Sequence, residues 1–189
     1  MRYRFASVSW VILILPASSL TLKSCCGVVS FTLIDYETLF LQPMSGNANR
    51  ARVRARRCAV QALYQWQLGG QEPAEIMTEF QRDREFKKVD VAYFETLAGM
   101  IPEHAAELDE KLKNAIDRDL DKLDPVEHAV LLIGAYELAH CPQIPWRVVI
   151  NEGVELSKMF GAEEAHKFVN GTLDKLARTL RATEIAEAT

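Results

Sequence analysis

The segment Asp124-Pro-Val-Glu-His-Ala-Val-Leu-Leu-Ile-Gly-Ala-Tyr136 constrains the fold more than any other. Asp124 suits the capping position of a helix, Pro125 its first position, and Glu127 the place of a capping-box carboxylate. The run Ala129–Tyr136 that follows is nearly apolar all round. A helix of that kind is buried centrally, so the chain must supply helices to cover it on several sides. Gly134 inside it costs about 1 kcal/mol of helix propensity against alanine. The expected compensation is close approach of a neighbouring helix.

The rest of the chain supplies such helices. A first runs from about Arg50 to Leu68 and stops at Gly69-Gly70, with Val53, Val60, Leu63, Tyr64 and Leu68 on its apolar side. A second starts near Pro73 and carries Ile76, Met77 and Phe80. A third covers about Val89 to Met100; Pro102 predicts a break or kink, with helix resuming through Leu108, Leu112 and Ile116. Pro142 and Pro145 end the central helix and start another, where Val149, Gly153, Leu156 and Phe160 form one stripe. The last helix begins at about Ala162 and turns Ala165, Phe168, Val169, Leu173, Leu176 and Leu180 inward. Phe168 stands at the edge of that face. No alternating pattern after Met44 calls for a strand. The expected class is all-α, a bundle with short connections.

The N-terminal region reads differently. Arg2 and Arg4 precede an apolar run, Trp10–Leu15, and then Pro16-Ala-Ser-Ser19. This has the shape of a short signal peptide. It falls short of the roughly 20 apolar residues of a membrane span. Met44 is the preferred start, because the interpretable periodicity begins after it. The expected organisation is an extension over 1–43, a flexible lead-in over 44–49, a helical domain over 50–182 and a tail over 183–189. The four cysteines, Cys25, Cys26, Cys58 and Cys141, form no Cys-x-x-Cys pair, which fits reduced thiols and a cytoplasmic location.

Signals for catalysis are weak. The chain has no glycine-rich phosphate loop. His104, His128, His140 and His166 lack zinc-type spacing with each other or with cysteine, so no metal or other cofactor is expected. A Cys–His pair is open, but nothing marks a nucleophile. Glu152, Glu155, Glu163 and Glu164 read as a solvated helix face.

The basic cluster is more telling. Arg50, Arg52, Arg54, Arg56 and Arg57 lie within eight residues, and no acidic residue occurs between Met44 and Glu72, in a chain of net charge −4. Guanidinium groups bind phosphates through paired hydrogen bonds and stack on bases. Such an arm is a common route to RNA; the bland alternative is a solvated helix start. An exposed Phe168 beside Lys167 would add a stacking platform.

Several blocks carry a resemblance. They are Arg54-Ala-Arg-Arg-Cys-Ala-Val-Gln-Ala-Leu-Tyr-Gln-Trp66, Val89–Phe94, Asp124–Leu138, Ile144–Glu152 and Phe160-Gly-Ala-Glu-Glu-Ala-His-Lys-Phe-Val-Asn-Gly171. Taken in order over about Arg50 to Arg178, they closely resemble the NusB family of bacterial transcription antitermination factors. The resemblance implies two small packed helical bundles and no catalysed reaction. It implies binding of boxA RNA in nascent ribosomal RNA transcripts, together with the small-subunit ribosomal protein NusE. Other Nus factors and RNA polymerase are further implied partners, with no membrane role; a homodimer is an open possibility. Carried onto this chain, Arg52, Arg54, Arg56 and Arg57 contact RNA backbone, and Phe160, Glu164, Lys167 and Phe168 complete the RNA face. Tyr64 and Glu127 face NusE. Two other readings keep the helices. One is a module that binds only protein. The other is the RNA-binding domain of a ribosomal RNA cytosine methyltransferase, for which the chain after the last helix leaves no room.

Overall fold

The computed structural model describes residues 46–82, 86 and 88–188. The expectations for residues 1–43, the Met44 start included, lie outside them. Helix α1 spans Gly46–Gly69. It begins before Arg50, so Gly46 to Asn49 are helical and not a loose lead-in. Gly70 follows with φ 61°, the left-handed geometry that glycine adopts without strain and that ends a helix. Helix α2, Pro73–Gln81, has proline at its start. Helix α3 spans Val91–Lys113, and the Asp90 carboxylate accepts the N–H of Tyr93 at 3.2 Å. Of the break or kink predicted at Pro102, the break is absent: α3 runs through it. Leu97, Ala98 and Ile101 before the proline, and Leu108 and Leu112 after it, are all buried. Burying that continuous face offsets the roughly 3 kcal/mol that an interior proline costs.

After a 3-10 turn at Leu120–Lys122 comes the central helix α4, Pro125–His140, with the Asp124 carboxylate accepting the N–H of Val126 at 2.8 Å. Helices α5 (Trp146–Phe160) and α6 (Ala165–Leu180) follow. A short α7, Ala182–Glu187, occupies most of the expected tail, and Ile185 packs against the core.

Helices α1, α2 and α3 pack on one another, α5 pairs with α6, and α4 contacts both groups. This explains why every residue from Ala129 to Leu138 is buried. The expected close approach at Gly134 is present. A Cβ there would lie 2.6 Å from Leu173 Cδ2, and one at Gly153 would lie 2.6 Å from Leu173 Cδ1. Leu173 of α6 thus fits between α4 and α5 in space that two glycines leave open. Phe80, Phe86 and Phe94 close the α2–α3 side, with ring centroids 5.0–6.5 Å apart. On α1, Tyr64 and Leu68 depart from the inward stripe and are 40% and 60% exposed.

The carbonyl end of α4 is closed by a distant side chain. The Arg181 guanidinium donates to the carbonyls of Leu138 (2.6 Å), Glu137 (3.1 Å), Cys141 (2.8 Å) and Pro142 (3.2 Å), and Glu184 holds it at 2.9 Å. Carbonyls at a helix end have no partner within the helix, and a cation there also suits the dipole. Among the described residues, no buried side-chain nitrogen or oxygen lacks a hydrogen bond, and no helix is long and apolar enough to cross a membrane.

Candidate nucleic-acid interface

Helix α1 sorts its arginines by direction. Arg50, Arg54 and Arg57 are exposed. Arg54 donates to the Lys88 carbonyl at 3.3 Å. Arg52 is half-buried, pairs with Asp90 at 3.4 Å and lies 5.0 Å from the centre of the Tyr93 ring. Arg56 departs from the expected phosphate-facing arm, because it points into the protein and is only 4% exposed. Its Nε donates to Glu137 Oε1 at 2.7 Å and its Nη2 to Oε2 at 3.3 Å. Glu152 of α5 adds a carboxylate at 3.6 Å, and the Tyr93 hydroxyl donates to the same Glu137. Burial alone would lower the Arg56 pKa, but Glu137, Tyr93 and Glu152 outweigh it and the net shift is upward. The same burial, then Glu137, pushes the Tyr93 phenol well up. One signal in the sequence pointed here: Arg56 shares a helical stripe with the buried Ala59 and Leu63.

A second basic region forms around α6. Phe168 is half-buried, and the Arg118 guanidinium stacks over its ring 4.0 Å from the centroid. Arg118 is itself 55% exposed and reaches Glu127 at 3.9 Å. These side chains border a cleft of about 300 Å³, lined also by Ile116, Asp117, Lys167 and Lys175. Three cations line it, each with a carboxylate in reach: Lys175 with Asp117 at 2.9 Å, Arg118 with Glu127 at 3.9 Å and Lys167 with Glu164 at 2.5 Å. The cleft offers an aromatic ring, a stacked guanidinium and two ammonium groups, the groups that single-stranded nucleic acid uses for stacking and phosphate contact.

The other expected positions are not among the residues that line this cleft. Glu164 is exposed at the start of α6 and pairs with Lys167 at 2.5 Å. Phe160 ends α5, half-buried against the core. Gly161 follows it, and a Cβ there would lie 2.8 Å from the Ser157 carbonyl oxygen, so the tight join between α5 and α6 needs glycine. Tyr64 is exposed on α1, whereas Glu127 in the first turn of α4 is 9% exposed and contacts Arg118. Sequence reasoning missed Arg118, which precedes Phe168 by a long interval and shares no local pattern with it.

Burial argues against Cys141, the neighbour of His140, as the thiol of a Cys–His pair. Cys141 is 5% exposed, and burial, then Glu137, pushes its thiol up to about 11. A thiol so rarely ionised is a poor nucleophile.

The profile of the NusB family matches residues 53–178. A Thiobacillus denitrificans protein named transcription antitermination protein NusB is 45% identical over 138 residues, 73% of this chain and 95% of that one. The chain belongs to the NusB family. A Shewanella amazonensis member of the same name is 52% identical over 125 residues, covering 66% of this chain and 93% of that one. The solved structure of T. maritima NusB superposes with a TM-score of 0.60 at 28% identity, over 71% of this chain and 96% of that one. A crystal structure of the antitermination factors NusB and NusE in complex with dsRNA gives 0.58 at 29% identity, over 69% and 98%. The NusB match begins at Val53 and so takes in Arg54, Arg56 and Arg57 of the arm, the α5–α6 join and the whole cleft.

Proposed function

We propose that this chain is an antitermination adaptor that binds boxA RNA of nascent ribosomal RNA transcripts together with NusE, and so supports read-through by RNA polymerase with other Nus factors. The observation that carries the reading is the Arg118 guanidinium stacked on Phe168 at the mouth of a cationic cleft. The family membership supports it, as does a relative captured with NusE and RNA. Exposed Arg50, Arg54 and Arg57, with Arg52 beside them, supply phosphate contacts. Lys167, Phe168 and Arg118 supply base stacking and charge, with Phe160 and Glu164 beside them at the α5–α6 join. Tyr64 and the neighbouring Leu68 form an exposed apolar strip for NusE, and Glu127, buried beside Arg118, is the second residue assigned to that partner.

Anisotropy of a labelled boxA-type RNA and a scrambled control, with and without NusE, tests this. Selective binding that NusE strengthens supports the reading. Equal binding of both RNAs in both conditions overturns it and leaves a protein-binding helical module.

Two substitutions follow. Arg54→Ala with Arg57→Ala should weaken binding and flatten its salt dependence, by about 0.7 in the log–log slope for each phosphate of a single strand that is no longer neutralised. An unchanged slope removes the arm from the interface. Phe168→Ala should cost about 1–3 kcal/mol of RNA affinity if a base stacks there. A lower melting temperature with intact affinity would make Phe168 a packing residue alone.

A further inference from the structure

The structure brings together histidines that are far apart in the chain. His104 and Glu107 lie one turn apart on α3, and His140 ends α4. The ring centroids of His104 and His140 are 5.0 Å apart, and His140 Nε2 lies 3.8 Å from Glu107 Oε1. One donor atom from each of the three residues falls within 4.8 Å of the other two. From this geometry we propose a surface site for a zinc-type divalent transition metal, held by His104, His140 and Glu107 and completed by water.

Three features favour a metal over a fortuitous cluster. The first is orientation. His104 Nδ1 lies 2.8 Å from the Met100 carbonyl oxygen, which can only accept, so Nδ1 carries the proton and Nε2 keeps its lone pair for a metal. A second partner that fixes the tautomer of a ligating histidine is the usual outer shell of a zinc site. The second is field. His140 stands in the last turn of α4, where the helix dipole favours positive charge. The third is the donor set. Two imidazoles and one carboxylate with an open position suit zinc and its neighbours, whereas calcium and magnesium take oxygen ligands.

The fit requires only small movement. Donors about 2.0–2.1 Å from a tetrahedral zinc lie roughly 3.3 Å from one another. Rotation of exposed Glu107 and His140 would have to close the present separations, which are all within 4.8 Å. Tyr136 backs the site, its ring centroid 4.9 Å from that of His140 and 6.0 Å from that of His104. The competing group is Lys111, whose ammonium lies 3.3 Å from Glu107 Oε1 in an exposed pair. Such pairs are weak and yield to a dication. Bound metal would cross-link α3 to α4. Along α4 the site lies about 20 Å from Glu127 and the Arg118 contact, thirteen residues at 1.5 Å each. It is therefore independent of the proposed RNA face.

The test is calorimetric titration of the full, untagged, metal-free chain with zinc sulfate, repeated on His140→Ala and on His104→Ala with His140→Ala. The expected result is a single zinc bound in the micromolar range, weakened at least about tenfold by the single change and lost in the double variant. Zinc should raise the melting temperature of the unaltered chain by several degrees and leave that of the double variant unmoved. Circular dichroism without metal should show both variants folded, as changes near the surface usually allow. Equal zinc affinity in the unaltered chain and the double variant overturns the site and points to the thiols. Absence of binding to the unaltered chain overturns it as well.

Discussion

Glu137→Ala should lower the stability of this protein by about 3–5 kcal/mol, the usual cost of leaving a buried charge without its partner. Glu137 is 1% exposed and Arg56 is 4% exposed, so water cannot replace a missing partner. The pair is bidentate, at 2.7 and 3.3 Å, and it joins α1 to α4. Glu152 of α5, at 3.6 Å from Arg56, offsets only part of the loss. Arg56→Ala should cost as much, because it strands Glu137 with the Tyr93 hydroxyl alone. Urea unfolding measures both, and a drop of roughly 10 °C in melting temperature should accompany them. The informative control is Arg56→Met with Glu137→Met. Removing both charges and keeping the volume should lose far less than the sum of the single changes. A loss below about 1 kcal/mol for Glu137→Ala would show that the pair does not hold the helices. The same result bears on RNA work: a variant of Arg56 that binds poorly has lost folded protein, and its salt slope should match that of the unaltered chain.

Leu173→Ala should cost about 2–5 kcal/mol. Leu173 is fully buried, and α4 and α5 hold it through Gly134 and Gly153. Deleting its three outer carbons leaves a cavity bounded by helix backbone, which relaxes little. Gly134→Ala alone should also destabilise, by about 1–3 kcal/mol, since a Cβ 2.6 and 2.9 Å from the two Leu173 methyls forces that side chain out of place. The gain in helix propensity returns only about 1 kcal/mol. The two changes together should be less harmful than their sum, because the new methyl enters the space that leucine leaves. Denaturation of the two singles and the double reads this coupling directly. Strict additivity would mean that Leu173 and Gly134 do not touch.

Much of this was legible in the sequence because it is local or periodic. The start of α4 follows from Asp124 and Pro125, and the structure places Asp124 on the Val126 N–H as expected, while Glu127 turns to Arg118. The Gly134 contact was legible as a violation: a residue that costs propensity in a buried helix needs a packing reason. Pro102 allows either a break or a kink, and apolar residues on both sides of it decide against the break. Arg56 looks like its four neighbours by residue type, and only the stripe it shares with Ala59 and Leu63 sets it apart. Its partner Glu137 lies 81 residues away. Arg118 on Phe168, and His104 beside His140, are likewise products of tertiary packing. No spacing rule along a chain encodes which faces of two helices meet.

The clasp at Arg181 has a temporal side. It reaches the Leu138 carbonyl across 43 residues of sequence. At about 5–20 residues per second, a nascent chain waits roughly 2–9 seconds between making those carbonyls and making the arginine that covers them. Through that interval the carbonyls at the end of the central helix cannot yet have this cap. The clasp therefore belongs to the last steps of folding, since it can close only after the whole of α6 has been made.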